Sequence, residues 1–239
     1  MQIYWTKINQ IIEETSDVKT YLLDVPENFT WEEGAFTHIG LKGFNEGEKP
    51  NRGLVRHMSI CTLPAENTIG FTTRIRKERS EFKDTLDTHK VGDEIALFKT
   101  HCNVPLRREN KDVYLLSSGV GLATFRPLVL EYLDNLTDVN QVHSLNIDSS
   151  KSFLFEDIFA SDEDKRFTSV FVDQRPAYYE AVTELATNKD GIFYIVGSDA
   201  FLKENITLLL EQGIKQEQIM LDKRVDQLPE FFPTAETIV

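Results

Sequence analysis

Two short stretches of this chain bring together residue types that can hold an anion and face a reactive group. The first is Arg56-His57-Met58-Ser59-Ile60-Cys61-Thr62, a strand-like run that carries a cation and a hydroxyl toward a pocket. On a regular strand Arg56 and Ser59, three apart, would point to opposite faces. The second is Ser117-Ser118-Gly119-Val120-Gly121-Leu122-Ala123-Thr124-Phe125-Arg126-Pro127, which follows the apolar run Asp112-Val113-Tyr114-Leu115-Leu116. A buried strand that empties through glycines into a helix is the geometry that holds a pyrophosphate. The glycines allow close backbone approach, and the helix N–H groups point at the anion. The full Gly-x-Gly-x-x-Gly is incomplete, because Thr124 stands where a third glycine would fall.

Two further segments have the same character. Phe71-Thr72-Thr73-Arg74-Ile75 precedes Arg79-Ser80-Glu81-Phe82-Lys83-Asp84-Thr85-Leu86. Ser80 reads as an N-cap whose hydroxyl and following N–H groups face an anion site, with Arg74 and Arg79 supplying charge-assisted bonds. Later, Phe193-Tyr194-Ile195-Val196-Gly197-Ser198-Asp199-Ala200-Phe201 reads as a strand, a turn and the start of a helix. Each has a plain structural alternative: a barrel strand with a surface arginine, or a capped surface helix with a basic flank. His101-Cys102 and His57 with Cys61 do not have the spacing of a zinc site, and satisfied or exposed side chains explain them better.

The elements that must position these residues fall into two halves. Six β-like pieces, Ile3–Ile12, Lys19–Val25, Phe36–Lys42, Leu54–Thr62, Thr68–Arg76 and Glu94–Lys99, mix β-branched or aromatic residues with polar ones. One helix from Ser80 interrupts them, with Phe82, Leu86 and His89 expected on one face. This predicts a six-stranded antiparallel barrel over residues 1–108. Residues 109–239 change to strand–helix alternation, with strands Val113–Ser117, Gln141–Ile147, Thr168–Val172, Phe193–Val196 and Ile219–Asp222. Helices Thr124–Leu136, Tyr178–Thr187 and Ala200–Gln212 lie between them. This predicts a doubly wound parallel sheet, so the fold class is β followed by α/β.

Charge and composition exclude several classes. The net charge of −13 over 239 residues argues against nucleic acid or an anionic membrane as partner. It is uneven: residues 1–110 carry 15 Lys/Arg against 17 Asp/Glu, and residues 111–239 carry 11 against 22. No apolar run approaches the roughly 20 residues needed to span a bilayer. Met1-Gln2-Ile3-Tyr4-Trp5 leads straight into a strand pattern rather than a signal segment, so the cytoplasm is the expected compartment. Two cysteines, Cys61 and Cys102, are too few for a four-thiolate cluster and are expected to be reduced.

In this order and separation the motifs resemble the ferredoxin–NADP reductase family of flavoenzymes, and the resemblance covers essentially the whole chain. It implies a first domain that binds FAD and a second that binds NAD(P)H. In the family's Arg-x-Tyr-Ser motif the strand is distorted at its end so that both outer residues reach the cofactor. By resemblance Arg56 holds the flavin phosphate and Ser59 bonds near N5, as the catalytic residue. His57 lies between, and Met58 replaces the tyrosine. The segment Thr72, Thr73, Arg74, Arg79, Ser80, Glu81 and Phe82 matches the family's pyrophosphate cradle.

Gly119, Gly121, Leu122, Ala123 and Thr124 match its nicotinamide-nucleotide loop, with Pro127 expected in the helix's first turn. Gly197 and Ser198 match the loop that approaches the nicotinamide, although Ser198 replaces a proline and Val196 a cysteine. The run Phe98-Lys99-Thr100-His101-Cys102-Asn103 stands where relatives show a proline–glycine loop. Phe231-Phe232 would shield the flavin, as terminal aromatics do in some relatives. The implied chemistry is hydride transfer from the nicotinamide to flavin, with no metal.

The electrons then pass to a separate acceptor. That acceptor is a ferredoxin- or flavodoxin-like protein, met by Arg74, Arg76, Lys77, Arg79, Arg107 and Arg108 unless these residues simply balance Glu78, Glu81 and Asp84, or else it is free flavin or a ferric chelate. A non-catalytic flavin-binding or electron-transfer subunit is the alternative of a different class. The donor stays open: Asp148 favours NADH, whereas Ser149, Lys151 and Arg175 can bind the 2′-phosphate of NADPH.

Overall fold

Ile8, Tyr21, Leu23, Ile39, Phe71, Ile95 and Leu97 come from different strand segments and are all at most 1% exposed. Their shared burial builds the first of two units, Met1–Pro105, in a computed structural model that describes residues 2–232. Its strands are β1 (Ile3–Thr15), β2 (Val18–Leu23), β3 (Ala35–Gly40), β4 (Val55–Ser59), β5 (Ile69–Arg74) and β6 (Glu94–Cys102), with helix α1 at Glu81–Asp87. The sheet runs β4-β3-β6-β1-β2-β5 and every pairing is antiparallel. Its two outermost strands are consecutive in sequence. The Cys61 N–H donates to the Gly70 carbonyl at 2.8 Å, and Thr62 Oγ1 accepts the Gly70 N–H at 2.9 Å. The sheet therefore curls into the expected six-stranded barrel, tied by Cys61 and Thr62 to Thr68, Gly70 and Thr72, with an open seam where the described residues form no ladder between β4 and β5.

Helix α1 seals this core with Phe82 and Leu86, both fully buried. His89 was expected on the same face. It lies past the helix end instead, with Nδ1 2.9 Å from the Thr85 carbonyl. Strand β6 runs three residues beyond the predicted end. Phe36 pairs with His101 and His38 with Phe98, so β6 holds one extra residue there, and Lys99 takes φ +53° to absorb it. The expected loop at 98–103 is largely bulged strand.

The second unit, Leu106–Val239, holds β7 (Lys111–Ser118), β8 (Val139–Ile147), β9 (Phe167–Val172), β10 (Ile192–Val196) and β11 (Ile219–Leu221). Helices α2 (Leu122–Asp134), α3 (Arg175–Leu185) and α4 (Asp199–Glu211) connect them. All strands are parallel in the order β11-β10-β7-β8-β9. Strand order reverses between β7 and β10, the switch point of a doubly wound sheet. Arg107 is tied into this unit: its N–H donates to the Tyr194 hydroxyl at 2.8 Å and its guanidinium to the Glu217 carbonyl at 2.7 Å. Because α2 starts at Leu122, Pro127 falls in the helix interior rather than its first turn. Its missing N–H removes the bond to the Ala123 carbonyl. Among the described residues no helix is long and apolar enough to cross a membrane.

Candidate functional site

On the barrel, β4 pairs with β3 in unbroken register from Gly40–Val55 to Phe36–Ser59. The distortion expected at its end is absent, so alternate residues keep to opposite faces. Met58 packs against the barrel core, and the Arg56 guanidinium lies 5.6 Å above the ring of Phe82. His57 is on the other side, its ring centroid 3.8 Å from that of Phe36, which pairs with Ser59. Arg56, second in β4, and Ser59, its last residue, thus share a strand but not a face.

Around Arg56 the positive charge is concentrated. Lys83 Nζ donates to the Arg74 carbonyl at 2.8 Å. Its pKa is held below the usual lysine value, first by burial and then by the charges of Arg76, Arg56 and Arg74. Four cations from β4, the end of β5 and α1 therefore share one small region at the open seam. The other expected residues behave differently. Arg79 turns away, its Nε 3.0 Å from Asp84 Oδ1 and its Nη1 2.7 Å from Asp87 Oδ2. Those two carboxylates, three apart on α1, make a better-defined partner than open solvent.

Ser80 caps α1 by position, but its hydroxyl makes no bond to the helix backbone. Glu81 accepts from Asn51 Nδ2 at 3.1 Å and presses on Gly53, where a Cβ would lie 2.0 Å from its carboxylate oxygen. Thr72 spends its hydroxyl on Thr20 at 2.7 Å, and Thr73 is buried.

In the second unit two turns meet at the switch point. Gly119, at φ +53°, opens a single 3-10 turn that runs into α2. A Cβ on Gly121 would lie 2.7 Å from the Val196 carbonyl oxygen. A Cβ on Gly197 would lie 2.7 Å from Ser118 Oγ and 2.5 Å from the Phe201 ring. The side chains of Leu122, Ala123 and Thr124 are buried, so they can offer a ligand only backbone. Ser198 caps α4, its Oγ accepting the Phe201 N–H at 3.3 Å. Two 13-residue helices thus start side by side at the open sheet edge, with the positive ends of their dipoles there. Asn146, which sequence reasoning passed over as a site residue, pins the arrangement. Its Nδ2 donates to Ser117 Oγ at 2.8 Å and to the Gly119 carbonyl at 3.4 Å. Its only signal in the sequence was an amide between two apolar residues, Leu145 and Ile147, near the end of a mixed strand.

No family model matches the chain, and no curated protein does. Solved structures do. A ferredoxin NADP+ reductase from Neisseria gonorrhoeae with bound FAD and NADP superposes with TM-score 0.74 at 21% identity, over 92% of this chain and 98% of that one. The cytochrome b5 reductase domain of Ulva prolifera nitrate reductase gives 0.75 at 16%, over 92% and 97%. The CS-b5R domains of human Ncb5or, in the NAD+ form, give 0.77 at 16%, over 93% and 70%.

The chain has the ferredoxin–NADP reductase fold.

In this chain the terminal aromatics belong to a core rather than standing out as the expected shield. Phe231 and Phe232 are 7% and 9% exposed and belong to the core of the second unit, with Ile195, Phe201 and Leu221. Lys223 covers Phe231, its ammonium 4.9 Å from the ring centroid. Two large rings ten residues past β11 gain more from burial there than from exposure. Of the arginines expected to face an acidic partner, Arg79 is paired as described. Arg107 bonds the Glu217 carbonyl, and Arg108 bonds the carbonyls of Asn135 and Thr137 at 2.8 and 2.7 Å. Arg76 and Lys77 are exposed.

Proposed function

We propose that this chain is a flavin-dependent NAD(P)H oxidoreductase that binds FAD on its barrel and the nicotinamide nucleotide on its parallel sheet. It delivers electrons to a separate acceptor. The observation that carries the reading is the cluster of Arg56, Arg74, Arg76 and Lys83 at the open β4–β5 seam. Arg74 has a partner in Asp17, its Nε 3.4 Å from Oδ2, and the remaining positive charge of Arg56, Arg76 and Lys83 is stabilised by an anionic ligand. The diphosphate of FAD is such a ligand, so the donor set fits the cofactor. The touching turns at Gly121 and Gly197 offer backbone N–H groups and two helix N-termini, which suit a second pyrophosphate.

When bound, the flavin supplies the redox chemistry, accepting two electrons from the reduced nicotinamide and passing them on. The chain itself binds and orients. Arg56, Arg74 and Lys83 grip the phosphates, and Met58 offers a polarizable surface against the barrel core. Ser59, at the strand end on the opposite face, is the residue that the family resemblance sets beside the ring system. Asn146 holds the Gly119 turn so that the nucleotide's pyrophosphate is fixed, and with it the position of the nicotinamide. Rate enhancement then comes from proximity and orientation.

The acceptor is a ferredoxin- or flavodoxin-like protein, approached through exposed Arg76 and Lys77. One observation favours the second reading, reduction of free flavin or a ferric chelate. Arg79 is neutralised by Asp84 and Asp87, so FAD is held less firmly.

The test is the visible spectrum of the purified chain with added FAD, before and after anaerobic NADH or NADPH. A flavin band that either nucleotide bleaches is expected; no flavin binding ends the reading.

The cluster also predicts a pH dependence. A bound phosphate favours charged Lys83, so FAD affinity is greatest below the pKa of Lys83. It declines as pH rises through that value, which lies under the ordinary 10.5. Titrations between neutral and alkaline pH should show this decline in the wild-type chain and lose it in Lys83→Met.

A further inference from the structure

We propose that Glu81 and Asn51 are positioning residues for the FAD diphosphate. They form a latch that holds the turn at residues 52–54, and the carbonyls of that turn aim the Arg56 guanidinium. The inference rests on the reading of the barrel as the FAD site and deepens it.

Arg56 is clamped by main chain close to it in sequence. Its Nη1 donates to the Val55 carbonyl at 2.7 Å and lies 3.4 and 3.5 Å from the carbonyl oxygens of Arg52 and Gly53. Its guanidinium carbon stands 5.6 Å above the centre of the Phe82 ring. A long side chain otherwise has many rotamers to lose on meeting a ligand, and a clamp of this kind removes that cost beforehand. The clamp uses Nη1. Nε and Nη2 form the other edge of the fork, the pair that can meet a phosphate through two parallel bonds.

The carbonyls are in place because Arg52–Leu54 forms a single 3-10 turn. A turn of three residues is marginal by itself and needs an anchor. Asn51 supplies one, its Oδ1 accepting the Gly53 N–H at 2.8 Å. Its Nδ2 donates to Glu81 Oε1 at 3.1 Å, a bond between residues 30 apart in sequence. Glu81 is the first residue of α1 and the neighbour of Phe82. One end of one helix therefore provides both the floor under Arg56 and the latch on its clamp. Gly53 suits this arrangement, since a Cβ there would lie 2.0 Å from Glu81 Oε2 and 2.9 Å from Asn51 Oδ1. A side chain at that position would push the carboxylate off.

A latch and a bare charge predict opposite signs. A carboxylate acting only through its charge opposes a diphosphate, so its removal would tighten FAD binding. Removal of a latch weakens it.

The experiment titrates the full chain with FAD and with riboflavin by fluorescence, and follows thermal unfolding of each variant. Glu81→Ala is expected to weaken FAD about five- to tenfold and riboflavin by less than about twofold. Glu81→Gln keeps an oxygen that accepts from Asn51 Nδ2, so its FAD affinity should return to within about twofold of the wild-type chain. Gly53→Ala reaches the latch from the turn side and should repeat the Glu81→Ala result, which keeps the test open if Glu81→Ala does not fold. In an Arg56→Ala background, Glu81→Ala should cost less than about twofold, because no guanidinium is left to aim. Unchanged or tighter FAD binding in Glu81→Ala, a parallel loss of riboflavin, or a full loss that persists without Arg56 overturns the proposal. If the wild-type chain binds neither flavin, the FAD reading fails and the latch with it. If it binds FAD and Glu81→Ala binds equally well, the FAD reading stands and the latch alone fails.

Discussion

Arg56→Ala is expected to weaken FAD binding by about ten- to a hundredfold while leaving riboflavin binding within about twofold of the wild-type chain. The estimate follows from what the guanidinium does. A hydrogen bond to a charged group contributes roughly 1.5–3 kcal/mol, and each 1.4 kcal/mol is about a tenfold change in affinity. Riboflavin carries the ring and ribityl chain but no phosphate, so it cannot report on a phosphate contact. The side chain also rests on Phe82, 5.6 Å from the ring centroid, and loss of that contact costs roughly 0.5–1 kcal/mol of barrel stability. Arg56→Lys separates charge from shape, because an ammonium keeps the charge and loses the two-pronged geometry, so its FAD affinity should fall in between. Fluorescence titration of the three proteins with both flavins decides the matter. If FAD and riboflavin weaken together, Arg56 supports the barrel rather than the phosphates.

The same residue shows how far the sequence could be read. Alternation of apolar and polar residues located all six barrel strands, because each strand buries one face in a shared core and the pattern is local. The five parallel strands were equally legible as short apolar runs. What escaped reading depends on contacts distant in sequence. Whether Ser59 turns toward Arg56 is decided by the register of β4 on β3, where Phe36 faces Ser59 without a shift. Arg79 looks like a phosphate ligand in a linear motif. Only the helical spacing of Asp84 and Asp87, with Lys19 also reaching Asp87 at 3.0 Å, shows where its charge is spent. The extension of β6 hangs on one residue, Lys99, that adopts positive φ without being glycine. Phe231 and Phe232 read as rings that shield the flavin until the core of the second unit is seen to include them. Asn146 matters because of what lies across from it on β7, and no spacing rule reveals that.

Gly121→Ala should be strongly damaging to the second unit, lowering its stability by roughly 2–3 kcal/mol and its melting temperature by about 5–10 °C. The added Cβ would stand 2.7 Å from the Val196 carbonyl oxygen. That carbonyl ends β10, where Val196 is aligned with Ser117 in the ladder to β7, so it cannot retreat without breaking the pairing. Gly197→Ala meets the Phe201 ring at 2.5 Å and the Ser118 hydroxyl at 2.7 Å instead. These are side-chain atoms that can rotate, so a smaller loss is expected, about 1 kcal/mol. Gly47→Ala, whose nearest neighbour would be 3.5 Å away, should be close to neutral and serves as the control. Thermal unfolding of the three variants ranks them, and AMP binding tests the site. If Gly121→Ala melts with the wild-type chain, the two turns do not touch as closely as described. If it folds and still binds AMP normally, the Gly121 turn is a packing device and the pyrophosphate lies elsewhere. Loss of AMP binding in a Gly121→Ala protein that remains folded ties the glycine to both roles, since the approach that excludes a methyl group is the one that seats the nucleotide.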